Sequence, residues 1–194
     1  MLIDSAQYAG VLFVHIPKTA GTSITKLLKD NNLDNWNRSW PRHHDPYSHL
    51  KETNTIDDSI FSFSVVRNPY TRTYSCFKQY NKANETDISF AEYLNNIFKK
   101  IISPVSPLLH IAQSFYVFED NKLQINKLYR FENLNDFEKD FGWTLGNYNV
   151  GNYNIDSYLK DYTEEAVQMT KELYSVDFSL LDYSLDFSKS LELK

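Results

Sequence analysis

The chain has 194 residues, of which 42% are hydrophobic and 23% are charged. This size and balance are typical of one globular domain with an apolar core, so a disordered or fibrous chain is excluded. No run approaches the ~18 apolar residues of a membrane span, and the N-terminal segment lacks the basic start of a secretory signal. Cys76 is the single cysteine, which excludes an internal disulfide and a thiolate metal cage. We therefore predict one domain over residues 1–194 in a reducing cytoplasm, with no membrane span.

Charge is unevenly distributed along the chain. The net charge of −5 disfavours nucleic acid as a partner. Residues 11–80 nevertheless carry nine Lys and Arg against six Asp and Glu, whereas the rest carries eleven against nineteen. Four of the five histidines also lie in that first segment. This distribution predicts an anion site there, unless the charges cluster by chance on a solvated face.

Predicted strands and helices alternate in the first half of the chain. Residues 11–16 (VLFVHI) have the apolar run of a buried strand, and residues 22–31 have helical spacing. A short helix is predicted near residues 48–52. The second strand, residues 61–66 (FSFSVV), is followed by a helix over residues 70–82.

The second half continues the pattern. Ser89 and Glu92 have the spacing of a capping box, which opens a helix to about residue 100. Residues 110–118 are predicted to be helical and residues 127–131 to form a third strand, and further helices start at Asn135 and near Thr163, the last running to about residue 176. The alternation predicts an α/β fold with a mainly parallel sheet and helices on both faces. In such folds, ligands bind at the carboxyl ends of the strands.

The loop after the first strand has the composition of an anion site. Residues 15–23 (HIPKTAGTS) join strand to helix through small residues and one lysine. A helix start presents backbone N–H groups and a positive dipole end, which suit an anion. Gly21 allows close approach of the backbone, and Lys18 adds a positive charge. As a bare pattern, the segment could also be a simple capped turn.

A second motif follows the second strand. In residues 65–75 (VVRNPYTRTYS), Arg67 ends the strand and Ser75 lies eight positions later on the predicted helix. An arginine fork with a hydroxyl suits a terminal phosphate. The alternatives are a structural ion pair for Arg67 and an exposed polar residue for Ser75.

Together the two motifs resemble those of the sulfotransferases that use 3′-phosphoadenosine-5′-phosphosulfate (PAPS), and the carbohydrate sulfotransferase branch in particular. Residues 129–134 (YRFENL) resemble that branch's Arg-Phe-Glu-Asn-Leu stretch, and residues 173–178 (LYSVDF), with Tyr183, resemble its terminal helix. The resemblance spans roughly residues 11–183. It implies a P-loop-like three-layer sandwich and transfer of a sulfuryl group from PAPS to an acceptor hydroxyl. The product would be 3′-phosphoadenosine-5′-phosphate (PAP), and no metal would be needed.

The resemblance also implies roles for individual residues. The loop for the 5′-phosphosulfate would comprise Lys18, Thr19, Ala20, Gly21, Thr22 and Ser23. Arg67 and Ser75 would bind the 3′-phosphate, and Arg72 either assists them or is a surface residue.

The family also needs a general base near the acceptor. Three histidines within seven residues, His43, His44 and His49, lie between the two motifs. The spacing of the branch favours His44, with His43 and His49 as alternatives. His15, at the strand end, is expected to pack or hydrogen-bond instead.

The acceptor implied by the resemblance is a saccharide, although a tyrosyl or small-molecule hydroxyl stays open. Trp36 and Trp40 either stack on a sugar or fill the core. Many carbohydrate sulfotransferases carry a membrane anchor and disulfides, and their absence here points to a soluble bacterial or viral enzyme.

Two other hypotheses explain part of the pattern. A catalytically degenerate nucleotide-binding module would keep Lys18 and Arg67 but would need no base, so the histidines disfavour it. A P-loop-type kinase would need a Gly-Lys-Ser/Thr ending and a metal-binding carboxylate. Here Lys18 precedes Gly21, and no such carboxylate is evident.

Overall fold

The computed structural model describes residues 8–31, 33, 44–53, 56–101, 107–145 and 155–191. The chain divides into two compact units, each made of two chain segments. The first unit comprises residues 1–66 and 113–150, and the second comprises residues 67–112 and 151–194. None of the described helices is both long and apolar enough to cross a membrane.

Strands and helices alternate along the described chain. The strands are β1 (Gly10–Val14), β2 (Ile60–Val66), β3 (Phe118–Glu119), β4 (Lys122–Leu123) and β5 (Lys127–Arg130). The helices are α1 (Gly21–Asp30), α2 (Tyr47–Thr53), α3 (Pro69–Asn84), α4 (Phe90–Phe98), α5 (Ser114–Val117), α6 (Asn135–Phe141), α7 (Ile155–Asp161), α8 (Glu164–Leu173), α9 (Ser175–Leu180) and α10 (Phe187–Leu191). Short 3-10 turns lie at Pro107–His110 and Phe131–Asn133.

A parallel sheet organises the first unit. Its strand order is β1-β2-β5, with β2 in the centre. Val14 pairs with Ser64 across β1 and β2, and the Ser64 hydroxyl donates to the Val14 carbonyl at 2.6 Å. Because the strands are parallel, the carboxyl ends of β1 and β2 lie at the same edge of the sheet. The predicted mixed α/β fold, with a parallel sheet flanked by helices, is confirmed.

The core of the first unit is built around aromatic rings on the sheet. Phe63 in the central strand lies 5.2 Å from Phe13 of β1 and 5.8 Å from Tyr129 of β5, measured between ring centroids. Helix α1 adds apolar side chains to this cluster, and so does α6. The buried members are Val11, Phe13, Ile24, Leu28, Phe61, Phe63, Val65, Tyr129, Phe137 and Phe141. Burial of these side chains fixes α1 and α6 on the sheet.

The prediction of one helix over residues 110–118 is wrong. The segment contains the end of a 3-10 turn and the short α5, and the chain then enters a two-stranded antiparallel hairpin, β3-β4. Asp120 and Asn121, at the turn of that hairpin, have φ values of 49° and 60°. Two consecutive positive φ values suit Asp and Asn in a two-residue turn, and this turn stops the helix that the apolar pattern indicated.

The predicted last helix is also divided. Thr163 caps α8 as expected, with its side chain accepting from the Ala166 N–H, but α8 ends before Tyr174 and α9 starts anew at Ser175. Helices α7 and α10 were not predicted. They bring Tyr158 and Phe187 to the second unit.

Tyrosines fill the core of the second unit. Tyr162 donates to the Tyr70 carbonyl at 2.7 Å, and Tyr70 donates to the Leu185 carbonyl at 2.7 Å. Tyr74 donates to Asp161 Oδ2 at 2.6 Å. A buried tyrosine needs such a partner for its hydroxyl, so these bonds join α3 to α7 and to the C-terminal segment. Burial, with the nearby charge of Asp186, raises the pKa of Tyr70 to about 12.

His110 is held neutral within the same core. Its ring lies 5.6 Å from the ring of Tyr93 and 5.9 Å from that of Tyr80. Burial first, and the positive charge of Arg72 second, lower the pKa of His110 to about 4. The folded second unit therefore disfavours a charge on this imidazole.

We expect the stability of the protein to fall in acid because of His110. Its pKa drops from 6.5 to about 4 on folding, so the unfolded chain binds more protons between these values. The part of the free energy of unfolding that depends on neutral His110 is fully present above pH ~6.5. It is lost as the pH falls towards ~4. Because the ring is partly exposed and screened, the loss from this residue is about 1–2 kcal/mol. Urea unfolding across this pH range measures it.

His110→Asn provides the comparison for that experiment. Asparagine keeps a polar atom towards the Tyr93 hydroxyl but does not titrate, so this variant should lose about 1–2 kcal/mol less over the same range. If the free energy of unfolding changed with pH in the same way in both proteins, the low pKa assigned to His110 would be contradicted.

Candidate functional site

The loop between β1 and α1 is conformationally strained. Lys18 and Ala20 have φ values of 70° and 69°, in the left-handed region that side chains with a Cβ rarely adopt. Thr19, between them, is fully buried, and its hydroxyl donates to the Ile16 carbonyl at 2.9 Å. The Thr19 hydroxyl therefore stabilises the backbone conformation of the loop. Strain of this kind is concentrated at functional sites, where it presents the backbone to a ligand.

Helix α1 starts without a side-chain cap. Its N-cap residue is Ala20, whose side chain makes no capping hydrogen bond, and the first turn contains no acidic residue. The Ala20 carbonyl accepts from the Ser23 and Ile24 N–H groups at 3.0 and 3.2 Å. Thr22 is exposed and Ser23 is buried. The positive end of α1 therefore meets no side-chain carboxylate of its own first turn, which favours an anion.

Gly21 is required by the imidazole of His15. A Cβ at this position would lie 1.6 Å from His15 Nε2 and 1.9 Å from His15 Cδ2, distances at which one group must move. The sequence suggested that Gly21 allows a ligand to approach. The structure adds that the space beside Gly21 is filled by His15, which the sequence treated as a packing residue.

His44 lies beside the same loop. Its Nδ1 is 2.8 Å from the His15 carbonyl oxygen. Since a carbonyl only accepts, Nδ1 carries the proton, and in the neutral ring Nε2 then has the lone pair. The structure therefore brings His44 and the Lys18 loop together in the first unit.

The other two histidine candidates differ in position. His49 is exposed on α2, with Nε2 3.7 Å from Asp45 Oδ2 on the same local segment. His43 lies outside the described residues, as do Trp36 and Trp40. Of the two described candidates, His44 contacts the loop after β1 through a hydrogen bond, whereas His49 faces Asp45.

Arg67 lies two residues before α3, and Ser75 lies on that helix in the second unit. Arg67 Nε donates to Thr71 Oγ1 at 3.0 Å, and its Nη2 donates to the Tyr158 hydroxyl at 3.3 Å. Thr71 and Ser75 are four residues apart on α3, so they share a face of the helix. Ser75 itself is 2% exposed. Thr71, which accepts from Arg67 Nε, and Ser75 therefore lie on the same side of α3.

The start of α3 is fixed by its own sequence. The Asn68 side chain accepts from the Tyr70 N–H at 3.0 Å, and Pro69 occupies the first turn. This cap fixes where the helix begins, directly after Arg67. The arginine is therefore held at the junction between β2 and α3.

Arg72 is buried rather than on the surface. It is 1% exposed, and its charge lowers the pKa of His110 and opposes the rise in the pKa of Tyr174. The structure thus places Arg72 in the polar core of the second unit, whereas Arg67 is half-buried.

Two contributors were missed by the sequence interpretation, Thr71 and Tyr158, whereas His15 packs as expected. Thr71 could have been found from its four-residue spacing to both Arg67 and Ser75. Tyr158 lies 91 positions from Arg67, and no local pattern connects them. Within the described ranges, no group of three or more His, Cys, Asp or Glu is arranged to hold a metal ion.

Comparison with known proteins returned one result. The family model described as the sulfotransferase family matches residues 2–184, nearly the whole chain. Searches of curated proteins and of solved structures gave no significant match.

We expect Gly21→Ala to destabilise the protein by about 1–3 kcal/mol, because overpacking of a filled site forces neighbouring groups to move. The added Cβ would collide with the His15 ring. Urea unfolding measures the change. Gly10→Ala is the matched control, since its Cβ would meet Ile60 Cδ1 at an ordinary 3.4 Å. Equal stabilities for the two variants would contradict the account of Gly21.

Proposed function

Because the chain belongs to the sulfotransferase family, we propose that it transfers a sulfuryl group from PAPS to a hydroxyl group of a carbohydrate. The observation that carries the proposal is the strained, uncapped start of α1 with the Nδ1-protonated His44 beside it. These features combine an anion site with a proton acceptor in the first unit.

The donor set of the first unit fits a phosphosulfate. The start of α1 offers backbone N–H groups and a positive dipole end, and Lys18 supplies a charge from the same loop. We assign the 5′-phosphosulfate of PAPS to residues 18–23. Thr19 contributes through the backbone, because its hydroxyl already bonds the Ile16 carbonyl.

The donor set of the second unit fits a terminal phosphate. The Arg67 guanidinium is oriented by Thr71 and Tyr158, and an oriented guanidinium binds phosphate in a defined geometry. We assign the 3′-phosphate to Arg67 and Ser75. Arg72 supports that assignment indirectly, as a buried positive charge on the same helix.

His44 is the proposed general base. Its proton on Nδ1 is bonded to the His15 carbonyl, which makes Nε2 the atom that accepts the proton of the acceptor hydroxyl. An ordinary histidine is largely neutral at physiological pH, as this role requires. A catalytically degenerate nucleotide-binding module would need no general base, so it would not need the hydrogen bond that sets the tautomer of His44.

The remaining residues act on the developing charge. Bound PAPS supplies an activated sulfuryl group whose leaving group is the 5′-phosphate of PAP. Lys18 and the N–H groups of the loop stabilise negative charge on the departing oxygen, as in phosphoryl transfer. A sulfuryl group carries less charge than a γ-phosphoryl group, so the proposed reaction needs no metal clamp.

The first experiment is calorimetric titration of the protein with PAP, beside ATP with magnesium. We expect PAP to bind without magnesium, and Arg67→Ala to weaken it about 10- to 100-fold, because charged hydrogen bonds to phosphate are lost. A preference for magnesium-ATP would reject the proposal in favour of a kinase.

Two variants refine that titration. Thr71→Val removes the hydroxyl that orients Arg67, whereas Thr71→Ser keeps it. We expect the valine variant to bind PAP more weakly and the serine variant to resemble the wild type. Equal affinities would show that Thr71 does not orient the guanidinium.

We expect Lys18→Ala to lower the transfer rate by about 10²–10³ if Lys18 stabilises the leaving group. Alanine retains a Cβ, so the backbone cost at φ 70° is the same in both proteins. PAP released in the presence of saccharide acceptors measures the rate. Lys29→Ala, at the exposed far end of α1, is the control. A rate unchanged by Lys18→Ala would remove this residue from the chemistry.

A further inference from the structure

His15 is the last member of a row of side chains on β1. Val11, Phe13 and His15 alternate along the strand and its continuation, so they point to the same face of the sheet. Val11 and Phe13 belong to the buried core cluster. The row therefore passes from the apolar core to an imidazole at the edge where ligands bind in parallel sheets.

The His15 ring contacts two other aromatic rings. It lies 5.4 Å from the Phe13 ring at an interplanar angle of 22°, a stacked arrangement. It also lies 4.3 Å from the His44 ring at an interplanar angle of 56°. Phe13 in turn stacks on Phe63 in the central strand. A continuous series of ring contacts thus connects the core to the proposed base.

The backbone of His15 adds a second contact to the same partner. Its carbonyl oxygen lies 2.8 Å from His44 Nδ1. The same residue therefore determines which nitrogen of His44 is protonated and supports the plane of the ring. Gly21 also lies directly against the His15 ring, since a Cβ there would collide with it.

We propose that His15 is a positioning residue for His44, an inference that rests on the function proposed above. The His15 ring, confined between Phe13 and Gly21, holds the His44 ring so that Nδ1 stays on the His15 carbonyl. Nε2 of His44 then keeps its lone pair and a constant direction towards the acceptor. His15 itself takes no proton from the substrate in this scheme.

The protonation of His44 can be measured without any ligand. Two-bond ¹H–¹⁵N correlation spectra distinguish the tautomers of each histidine, and at about pH 8.5 an ordinary histidine is neutral. His44→Gln assigns the His44 signals by their loss. We expect the Nδ1–H form of His44 to dominate in the wild type, because its hydrogen bond selects that tautomer.

Three variants test whether the His15 ring maintains that form. His15→Ala should lower the Nδ1–H population of His44 about twofold or more, and Gly21→Ala should do so by displacing the ring. In the double variant the new Cβ has room, so its spectrum should match that of His15→Ala. If His15→Ala does not fold, His15→Gln, which also lacks a ring, takes its place. Lys29→Ala should leave the His44 signals unchanged.

Kinetic and binding measurements separate positioning from binding. We expect His15→Ala to lower kcat about tenfold and to leave the affinity for PAP unchanged, because only proton transfer is affected. A large loss of PAP affinity would make His15 part of the binding loop and overturn the proposal.

Two further spectral results would also overturn it. One is an Nε2–H form of His44 in the wild type. The other is an effect of Gly21→Ala that is equally large without the His15 ring. Failure of the wild type to bind PAP would instead reject the proposed function, and the tautomer spectra, which need no ligand, would still decide whether His15 positions His44.

Discussion

The contact between the His15 imidazole and Gly21 governs the arrangement of the first unit's site. It brings the end of β1 and the start of α1 so close that no methyl group fits between them. The residues between these points turn within a short segment, in which Lys18 and Ala20 take left-handed φ values. The strain is opposed by burial, because α1 is fixed on the sheet by Ile24 and Leu28.

The same contact determines how the proposed base is held. His44 bonds the carbonyl of His15 and packs against its ring, so the base is supported by the residue that shapes the loop. Catalytic groups need support of this kind, since small errors in position are costly. The second unit uses a comparable arrangement for Arg67, whose guanidinium contacts hydroxyl groups from α3 and α7.

Much of the fold was predictable from local patterns. The apolar runs near β1 and β2 and the amphipathic spacing of α1 indicated these elements within one or two residues. The Ser89 and Thr163 caps were visible because their bonds span three residues. The end of the predicted helix at β3 was not visible, because the hairpin turn depends on the left-handed conformation of Asp120 and Asn121 beyond the apolar pattern.

The candidate site divides in the same way. The loop at Lys18 and the motif at Arg67 are each a continuous stretch of sequence, so each could be recognised from the sequence alone. His44 was favoured only by the spacing of the family motifs; its hydrogen bond to His15 spans 29 positions, and the Arg67 contact with Tyr158 spans 91. Such pairs are created by packing. The single domain over residues 1–194 stays a prediction, as do the saccharide acceptor and the cytoplasmic location.

The most direct test of the account is a single-turnover incubation of the protein with [³⁵S]PAPS and a panel of saccharides, followed by chromatography. The account predicts that label moves to a saccharide while PAP forms in equal amount, without added magnesium. Transfer of ³²P from γ-labelled ATP with magnesium, and no transfer of ³⁵S, would contradict it.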